Sequence, residues 1–522
     1  MTFKLTYSTM FNPPEEMHAR FERALAEVKA GLGASHPMYI DGRDVEAGQG
    51  VARTSPIDDR VVTGRFPSGG AADVEAAVAA ARRAFDTWRR TPTAERLAVA
   101  RRVADLIEER VYTIGAALAI EVGKNRMESL GEAQETADFF RGYADEFERN
   151  GGYDRRLPDD PLEGWKSHNR SVLKPHGAWA VIAPFNYPLA LAGGPTAAAL
   201  VTGNTVVLKG ATDTPWAGRL LAECIRDAGA PPGVFNYVVG SGRVVGEALV
   251  THPAVAGATF TGSFVVGQRI FGAMASGPWP RPCIVEAGGK NPCIVTARAD
   301  LARAVKGTSR SAYGLSGQKC SALSRIYVEA SVADRFIERL AAEIRALTVG
   351  DPTRRENYMG PVISARAARD FDACCERLRA GGARILVGGS RLEGEAFARG
   401  HYVAPTLAEA PADHPLYREE LFLPILMVSR VKDFEEGLRL ANDATLGLTA
   451  GCYGSQDEVA AFFDRIEAGV TYANRPQGAT TGAWPGYQPF GGWKGSGSTG
   501  KAIGSFYYLP QYLREQSQTW VE

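Results

Sequence analysis

From Trp179 onward, short apolar runs alternate with helical stretches: AWAVIAP, a helical segment near 190–201, NTVVLKG, AGRLLAECIRDAG and VFNYVVG, followed by ATFTG and CIVEAGG. No other feature narrows the fold so far. Strand and helix alternation of this kind is satisfied by a parallel sheet covered on both faces. The pattern resumes after residue 320 with SRIYVEA, the helices ADRFIERLAAEIRAL and ARDFDACCERLRAGG, then RILVGG and ILMVSRV, which predicts a second α/β unit. Two units agree with the length, because 522 residues exceed the roughly 250–300 that one hydrophobic core fills. Residues 72–149 read as helices from apolar residues at three- and four-residue spacing, with Thr93 ahead of AERL as an N-cap, and another helix is expected around 15–31. Glycines, prolines and charges break the helical period at 151–171, an excursion between units, and SFYYLPQYL near the C-terminus reads as an edge strand that pairs with another element.

Charge and cysteine usage exclude several classes. The 59 Lys+Arg balance 59 Asp+Glu, so no basic surface argues for nucleic acid or an anionic membrane as partner. The seven cysteines form an odd set without a Cys-x-x-Cys pair, which fits neither a disulfide framework nor a zinc ribbon. No bound metal is expected, and a reducing compartment is. The first twenty residues lack the layout of a signal or transit peptide, and no stretch approaches the roughly 20 apolar residues that span a bilayer. The cytoplasm is the expected location.

Four places carry chemistry. Cys320 lies in YGLSGQKCSA, ahead of the strand SRIYVEA, with glycines and Lys319 close by, where a thiolate can be exposed and stabilised. Alone, a cysteine is more often a small buried hydrophobe. Glu286 ends the strand CIVEAGG, where open α/β sheets place their ligands, so it is a candidate general base or else a cap or salt-bridge partner. Asn186, boxed by Pro184 and Pro188 in APFNYP, can donate to a developing oxyanion or serve as a turn residue. Gly240, Gly242 and Gly246 in VVGSGRVVG follow a strand and open a helix, a dinucleotide fingerprint one residue too long in its last interval.

Together and in this order, these segments resemble the NAD(P)-dependent aldehyde dehydrogenase superfamily from about residue 37 to 515. The motifs are APFNYP, GNTVVLKGATDTP, FTGSFVVG, EAGGKNP, GQKC, EELFLP, ANDATLGLTAG and PFGGWKGSG. The resemblance implies an aldehyde dehydrogenase-like α/β fold. Its parts would be an N-terminal helical segment (1–36), a Rossmann-like dinucleotide-binding domain (37–150 and 172–285), a catalytic α/β domain (286–485) and a bridging β element for oligomerisation (151–171 and 497–522). It implies Cys320 as nucleophile, Asn186 with the Cys320 N–H as oxyanion donors, and Glu286 as the base that hydrolyses the thioester. The superfamily's CoA-acylating branch commonly lacks that carboxylate, so Glu286 favours a carboxylic acid product. NAD or NADP would be held by Lys209, Thr212, Gly242, Gly246, Ser263, Glu420 and Phe422. Lys209-Gly210-Ala211-Thr212 stands where many NAD-preferring members carry a glutamate; its loss removes a partner for the ribose 2′-OH and a repulsion against a 2′-phosphate, so NADP use is expected more than usual. Leu423 replaces a glycine, without a functional account.

Among the subfamilies, Gln318-Lys319 before Cys320, Ser321-Ala322 after it, and TTGAWPGYQPFGG resemble the L-glutamate γ-semialdehyde (1-pyrroline-5-carboxylate) dehydrogenases. That assigns Ser321, Gly482 and Ala483 to the substrate carboxylate, as a nest of small residues, and Phe185 to the aldehyde tunnel. Trp484-Pro485 and Arg475-Pro476-Gln477 depart from the subfamily and are expected to narrow or reshape the pocket. The alternatives are another acidic or aromatic aldehyde and, in a different class, a catalytically silent structural relative, against which the joint retention of Cys320, Glu286 and Asn186 stands. The implied partners are a small-molecule aldehyde and further copies of the chain, as a homodimer or higher homo-oligomer, with neither nucleic acid nor membrane.

Overall fold

The computed structural model describes residues 5–6, 9–46, 50–479 and 484–522. Two seven-stranded sheets organise these residues. In the first, the order is Cys283–Ala287, Val255–Gly262, Ala178–Ile182, Thr205–Lys209, Phe235–Val238, Met38–Ile40, Arg43–Val45. All neighbours are parallel until the hairpin Met38–Val45 adds its antiparallel strands at the edge. Ala178–Ile182 and Thr205–Lys209 are buried along their whole length, which is why they read as unbroken apolar runs. From Ala178–Ile182 the chain adds two strands on one side, then returns to add two on the other. The crevice at that reversal, outside the carboxyl ends of the strands, is where such sheets bind ligands.

The second sheet runs Arg384–Val387, Thr406–Glu409, Ile425–Val431, Leu323–Glu329, Asn291–Val295, Thr449–Tyr453, Val470–Ala473, parallel except at its first strand. Its strands alternate between two apolar clusters: Ile294 and Met427 join one, Cys293, Val295, Leu426 and Val428 the other, as the two-residue period of a strand requires. Asn291–Val295 is central although it contains Pro292. The register slips between Asn291 and Pro292, the kind of irregularity where a strand tolerates proline. Only Gly288-Gly289-Lys290 separates the last strand of the first sheet from this one, so Glu286 sits at the seam.

Helices pack the seam from one side. Ala190–Val201 lies on Arg126–Arg149 so closely that a Cβ at Gly193 would be 2.4 Å from Thr136 Cγ2. The helix Thr93–Glu109 begins at Thr93 itself, with Pro92 in the cap position and no side-chain cap bond, so Thr93 is the first helical residue rather than the N-cap. A third sheet pairs Leu513–Val521, Ser167–Pro175 and Asp154–Leu157 antiparallel. Of the run SFYYLPQYL only the last residue, Leu513, belongs to it: Leu509–Tyr512 is a 3-10 turn whose Leu509 and Tyr512 are buried, and the strand begins at Leu513.

Candidate active site

Every residue expected at a dinucleotide lines one cleft at the carboxyl ends of the first sheet: Lys209, Thr212, Gly242, Gly246, Ser263, Glu420 and Phe422, together with Phe185, Asn186 and Cys320. Lys209 ends its strand buried, and its Nζ donates to the Gly210 carbonyl at 2.9 Å; burial pulls its ammonium down to about 8. Thr212 Oγ1 donates to Gly240 O at 3.3 Å. Gly240 is glycine for packing, since a Cβ there would be 2.4 Å from Val245 Cγ2, whereas a Cβ at Gly242 would meet no protein atom within 4 Å. The missing side chain at Gly242 leaves open space beside the cleft. Ser263 precedes the helix Phe264–Ala275 without making a cap bond, so the N–H groups of that helix end suit an anion. Glu420 accepts the Gly289 N–H at 3.1 Å, and burial raises it to about 7 against the pull of that bond and of Lys290. A Cβ at Gly288 would lie 1.7 Å from Glu420 Oε1. Phe422 has φ +56° and meets Phe185 edge-on, 5.7 Å between centroids. This donor set, a buried cation, a helix end and a carboxylate along an open groove, fits a dinucleotide.

Cys320 is delivered by a strained turn. Leu315, Ser316 and Gly317 all adopt left-handed backbone, with φ of 46°, 55° and 69°, a conformation that costs a non-glycine residue about 1 kcal/mol or more. Surrounding bonds fix it. Glu128, from the helix Arg126–Arg149, accepts the Leu315 N–H at 3.2 Å and pairs with Lys319. Ser316 Oγ donates to Gly360 O at 2.7 Å, and Gln318 Oε1 accepts the Ile363 N–H at 2.8 Å. Asn291 Nδ2 donates to the carbonyls of Cys320 and Ala322 at 2.7 and 2.8 Å, while its Oδ1 accepts the Thr449 N–H at 3.0 Å. Gly317 must be glycine, because a Cβ would be 2.3 Å from Leu423 O. The side chain of Leu423, the unexpected residue there, is buried in the second unit's core. Asn186 is buried and donates from Nδ2 to Gln318 O at 2.9 Å, leaving the second hydrogen of that amide. Burial, then the carboxyls of Glu286 and Glu420, push the Cys320 thiol up, against the N–H groups of Ser321 and Cys320. Glu286 is raised to about 8 by burial, and its Oε1 has no hydrogen-bond partner. Burial thus disfavours the charged form of both the thiol and the Glu286 carboxyl.

A second cavity opens on the other side of the thiol. Ser321 lines it, with Glu128, Glu135, Tyr187, Arg310 and Lys319, and Cys320 lines both cavities. Phe185, expected in the aldehyde tunnel, lines the cofactor-side cleft instead, against Phe422. Gly482 and Ala483 lie outside the described residues. Trp484 does not enter the described wall of this cavity: it is 1% exposed and its indole N–H donates to Asp138 Oδ2 at 2.5 Å. Glu128, Asn291 and Arg310 are additions that sequence reasoning missed. Asn291 stood within EAGGKNP, but Glu128 and Arg310 carry no local signal, since their partners lie far along the chain.

The chain is similar to known proteins over nearly its whole length. The aldehyde dehydrogenase family pattern matches residues 44–517. The 1-pyrroline-5-carboxylate dehydrogenase of Bacillus pumilus is 37% identical over 502 residues, 94% of each chain. The 1-pyrroline-5-carboxylate dehydrogenase 2 of Bacillus subtilis is 36% identical over 494 residues, 93% of each. A crystal structure of the Thermus 1-pyrroline-5-carboxylate dehydrogenase with bound NAD superposes with a TM-score of 0.92 at 35% identity, covering 99% of both chains. Matched over nearly its whole length in sequence and fold, the chain belongs to the aldehyde dehydrogenase family.

Proposed function

We propose that the chain oxidises L-glutamate γ-semialdehyde to glutamate with NAD(P)+, through a thiohemiacetal and then a thioester on Cys320. One observation carries the reading: Cys320 lines both the dinucleotide-shaped cleft and the second cavity, so a substrate on one side and a cofactor on the other meet at its sulfur. Cys320 Sγ attacks the aldehyde carbon as the thiol proton passes to solvent, and the carbonyl π electrons move onto oxygen. The oxyanion accepts from the free Asn186 Nδ2–H and the Cys320 N–H. A dinucleotide held in the cleft by Lys209, Ser263 and Glu420 would supply the acceptor for the hydride of that carbon. Glu286 then removes a proton from water as it adds to the thioester, and the thiolate leaves. Per turnover, aldehyde, water and oxidised cofactor give carboxylate, reduced cofactor and two protons.

Lys209 and Glu420 would hold the two riboses, Ser263 and its helix end the pyrophosphate, and Gly242 and Gly246 the clearance; Phe422 would pack at the nicotinamide. Thr212 takes the place of a repelling carboxylate, though Asp213 next to it lines the cleft, and Arg243 lines the same cleft with no ion-pair partner among the described residues. Both favour a 2′-phosphate, hence NADP beside NAD. In the second cavity Ser321 would take the substrate carboxylate, with Gly482 and Ala483 assigned beside it by the family resemblance alone, and the buried Glu135 lines the same wall. The names of the Bacillus and Thermus relatives support this substrate. Among the described residues no helix is long and apolar enough to cross a membrane. The seven unpaired cysteines support a cytoplasmic location, and the outer sheet supports a homo-oligomer.

The test is nicotinamide reduction followed by absorbance, with a panel of semialdehydes and neutral aldehydes against NAD and NADP, for wild type and Cys320→Ala. Glutamate γ-semialdehyde should give the highest kcat/KM, and Cys320→Ala should lose roughly 1,000-fold or more. Good turnover of another aldehyde with none of glutamate semialdehyde overturns the substrate; equal rates in Cys320→Ala overturn the nucleophile.

A further inference from the structure

We propose that Arg310 is the specificity-determining cation of the second cavity, pairing with a carboxylate carried by the aldehyde at the end remote from Cys320. This rests on reading that cavity as the aldehyde's site, and deepens it. Arg310 stands in the last turn of the helix Leu301–Tyr313 and lines the cavity with Cys320 and Ser321. Its contacts leave it without a direct ion pair among the described residues, the Glu343 carboxyl acting on it only from a distance. Nη1 donates to the Pro476 carbonyl at 3.3 Å, the Phe11 ring lies 3.6 Å from Cζ, and no carboxylate among the described residues pairs with it. A guanidinium has five N–H donors, so most remain uncommitted. The other cation in this wall differs, because Lys319 is already paired with Glu128.

A half-buried cation without a counterion is unfavourable unless a ligand supplies one. Arginine's planar fork matches a carboxylate with two parallel bonds. The Phe11 ring and the Pro476 bond hold that fork in one orientation, so its remaining edge is organised before substrate arrives. Cys320, Ser321 and the guanidinium of Arg310 thus line one cavity, and the ligand it selects is an aldehyde with a distal acid group.

The experiment uses the full chain with Arg310→Gln, which removes the charge but keeps an N–H donor for Pro476, and Arg310→Lys, which keeps the charge without the fork. Kinetics are measured for glutamate γ-semialdehyde, succinic semialdehyde and unbranched neutral aldehydes of matching length. Glutarate is measured separately as a competitive inhibitor of neutral-aldehyde oxidation. Arg310→Gln should lower kcat/KM for the acidic aldehydes about 10- to 100-fold, mainly through KM, and weaken glutarate by the same factor. Neutral aldehydes should shift by less than about threefold, and Arg310→Lys should fall between. A purely structural role would move acidic and neutral aldehydes together, and that result, or no change with either, overturns the proposal. Should Arg310→Gln fail to fold, Arg310→Lys decides by the same comparison. If the wild type oxidises no acidic aldehyde, the substrate reading fails while Arg310 is judged on glutarate alone: inhibition lost in the variant upholds it, and no inhibition of the wild type overturns it.

Discussion

Glu286 holds a buried carboxyl whose Oε1 lacks a hydrogen bond and which burial raises from an ordinary 4.5 to about 8. The folded chain therefore keeps a proton there that the unfolded chain releases above about 4.5, so this group's contribution to stability falls as pH rises from about 4.5 to 8. Glu286→Gln removes that dependence. We expect it to unfold at higher temperature than wild type at pH 8.5, a gain on the order of 1 kcal/mol, with the difference shrinking toward pH 5. Thermal unfolding at several pH values checks this. Function should move oppositely: thioester hydrolysis in single turnover should rise with pH to about 8 in the wild type, and drop about 100- to 10,000-fold in Glu286→Gln, leaving a trapped acyl-enzyme visible by mass spectrometry. Thr212→Glu should restore repulsion against a 2′-phosphate and lower kcat/KM with NADP at least about tenfold relative to NAD; an unchanged ratio would place cofactor choice elsewhere. Chemistry by residue type was readable at Cys320, Glu286 and Asn186, because thiol, carboxylate and amide announce what they can do. Asn291, Glu128 and Arg310 were not, because each acts through partners that only the fold brings near.

The turn Gly314–Gly317 and the helix Arg126–Arg149 form one device, since Glu128 ties the strained Leu315 N–H and the Lys319 ammonium to a rigid support. Glu128→Ala leaves Lys319 without its partner and the N–H unsatisfied. A loss of about 2–3 kcal/mol in stability is expected, together with faster alkylation of Cys320 as the loop loosens; unchanged alkylation would mean that the other bonds hold the turn by themselves. The helices and most parallel strands were legible, because buried strands are continuous apolar runs and helices repeat at three to four residues. The central strand Asn291–Val295 was not, since Pro292 argues against a sheet interior and only the register slip explains it. The hairpin strands Met38–Ile40 and Arg43–Val45, three residues each, were too short to signal themselves. The tail's aromatics misled because Tyr508, Leu509 and Tyr512 fill a core rather than an edge. A left-handed run at Leu315 and Ser316 has no sequence mark, as both residues avoid that region when free to.

Across the molecule, the carboxyl ends of the first sheet face loops that enter the second sheet, and the C-terminal segment is woven into that seam. Ala287 N–H donates to Ser496 O at 2.9 Å and Ser498 N–H to Val285 O at 3.0 Å, so residues 496–498 continue the edge beside Glu286. Farther on, Leu513–Val521 pairs with Ser167–Pro175 from Leu513↔Pro175 to Val521↔Ser167, yet most of the strand is exposed, with Trp520 47% and Val521 44% accessible. At the opposite edge, beyond Ser167–Pro175, the strand Asp154–Leu157 is exposed at every position. A three-stranded sheet with little cover on either face gains too little from burial to stand out from the body alone, and its bare edge invites another copy. Ending the chain after Tyr512 keeps the buried aromatics and the Asn204 Nδ2 bond to Tyr512 O at 2.9 Å, while removing the strand. If the proposed homo-oligomer forms through this edge, the full chain should sediment as an assembly and the shortened protein as a monomer at the same concentration, with a lower melting temperature. The dinucleotide cleft, built from residues upstream of 423, should keep its cofactor affinity within about threefold, as read by quenching of tryptophan fluorescence. Sedimentation equal to that of the full chain would place the subunit contact elsewhere. Lost cofactor binding in a folded monomer would mean instead that assembly shapes the cleft through the seam at Ser496–Ser498.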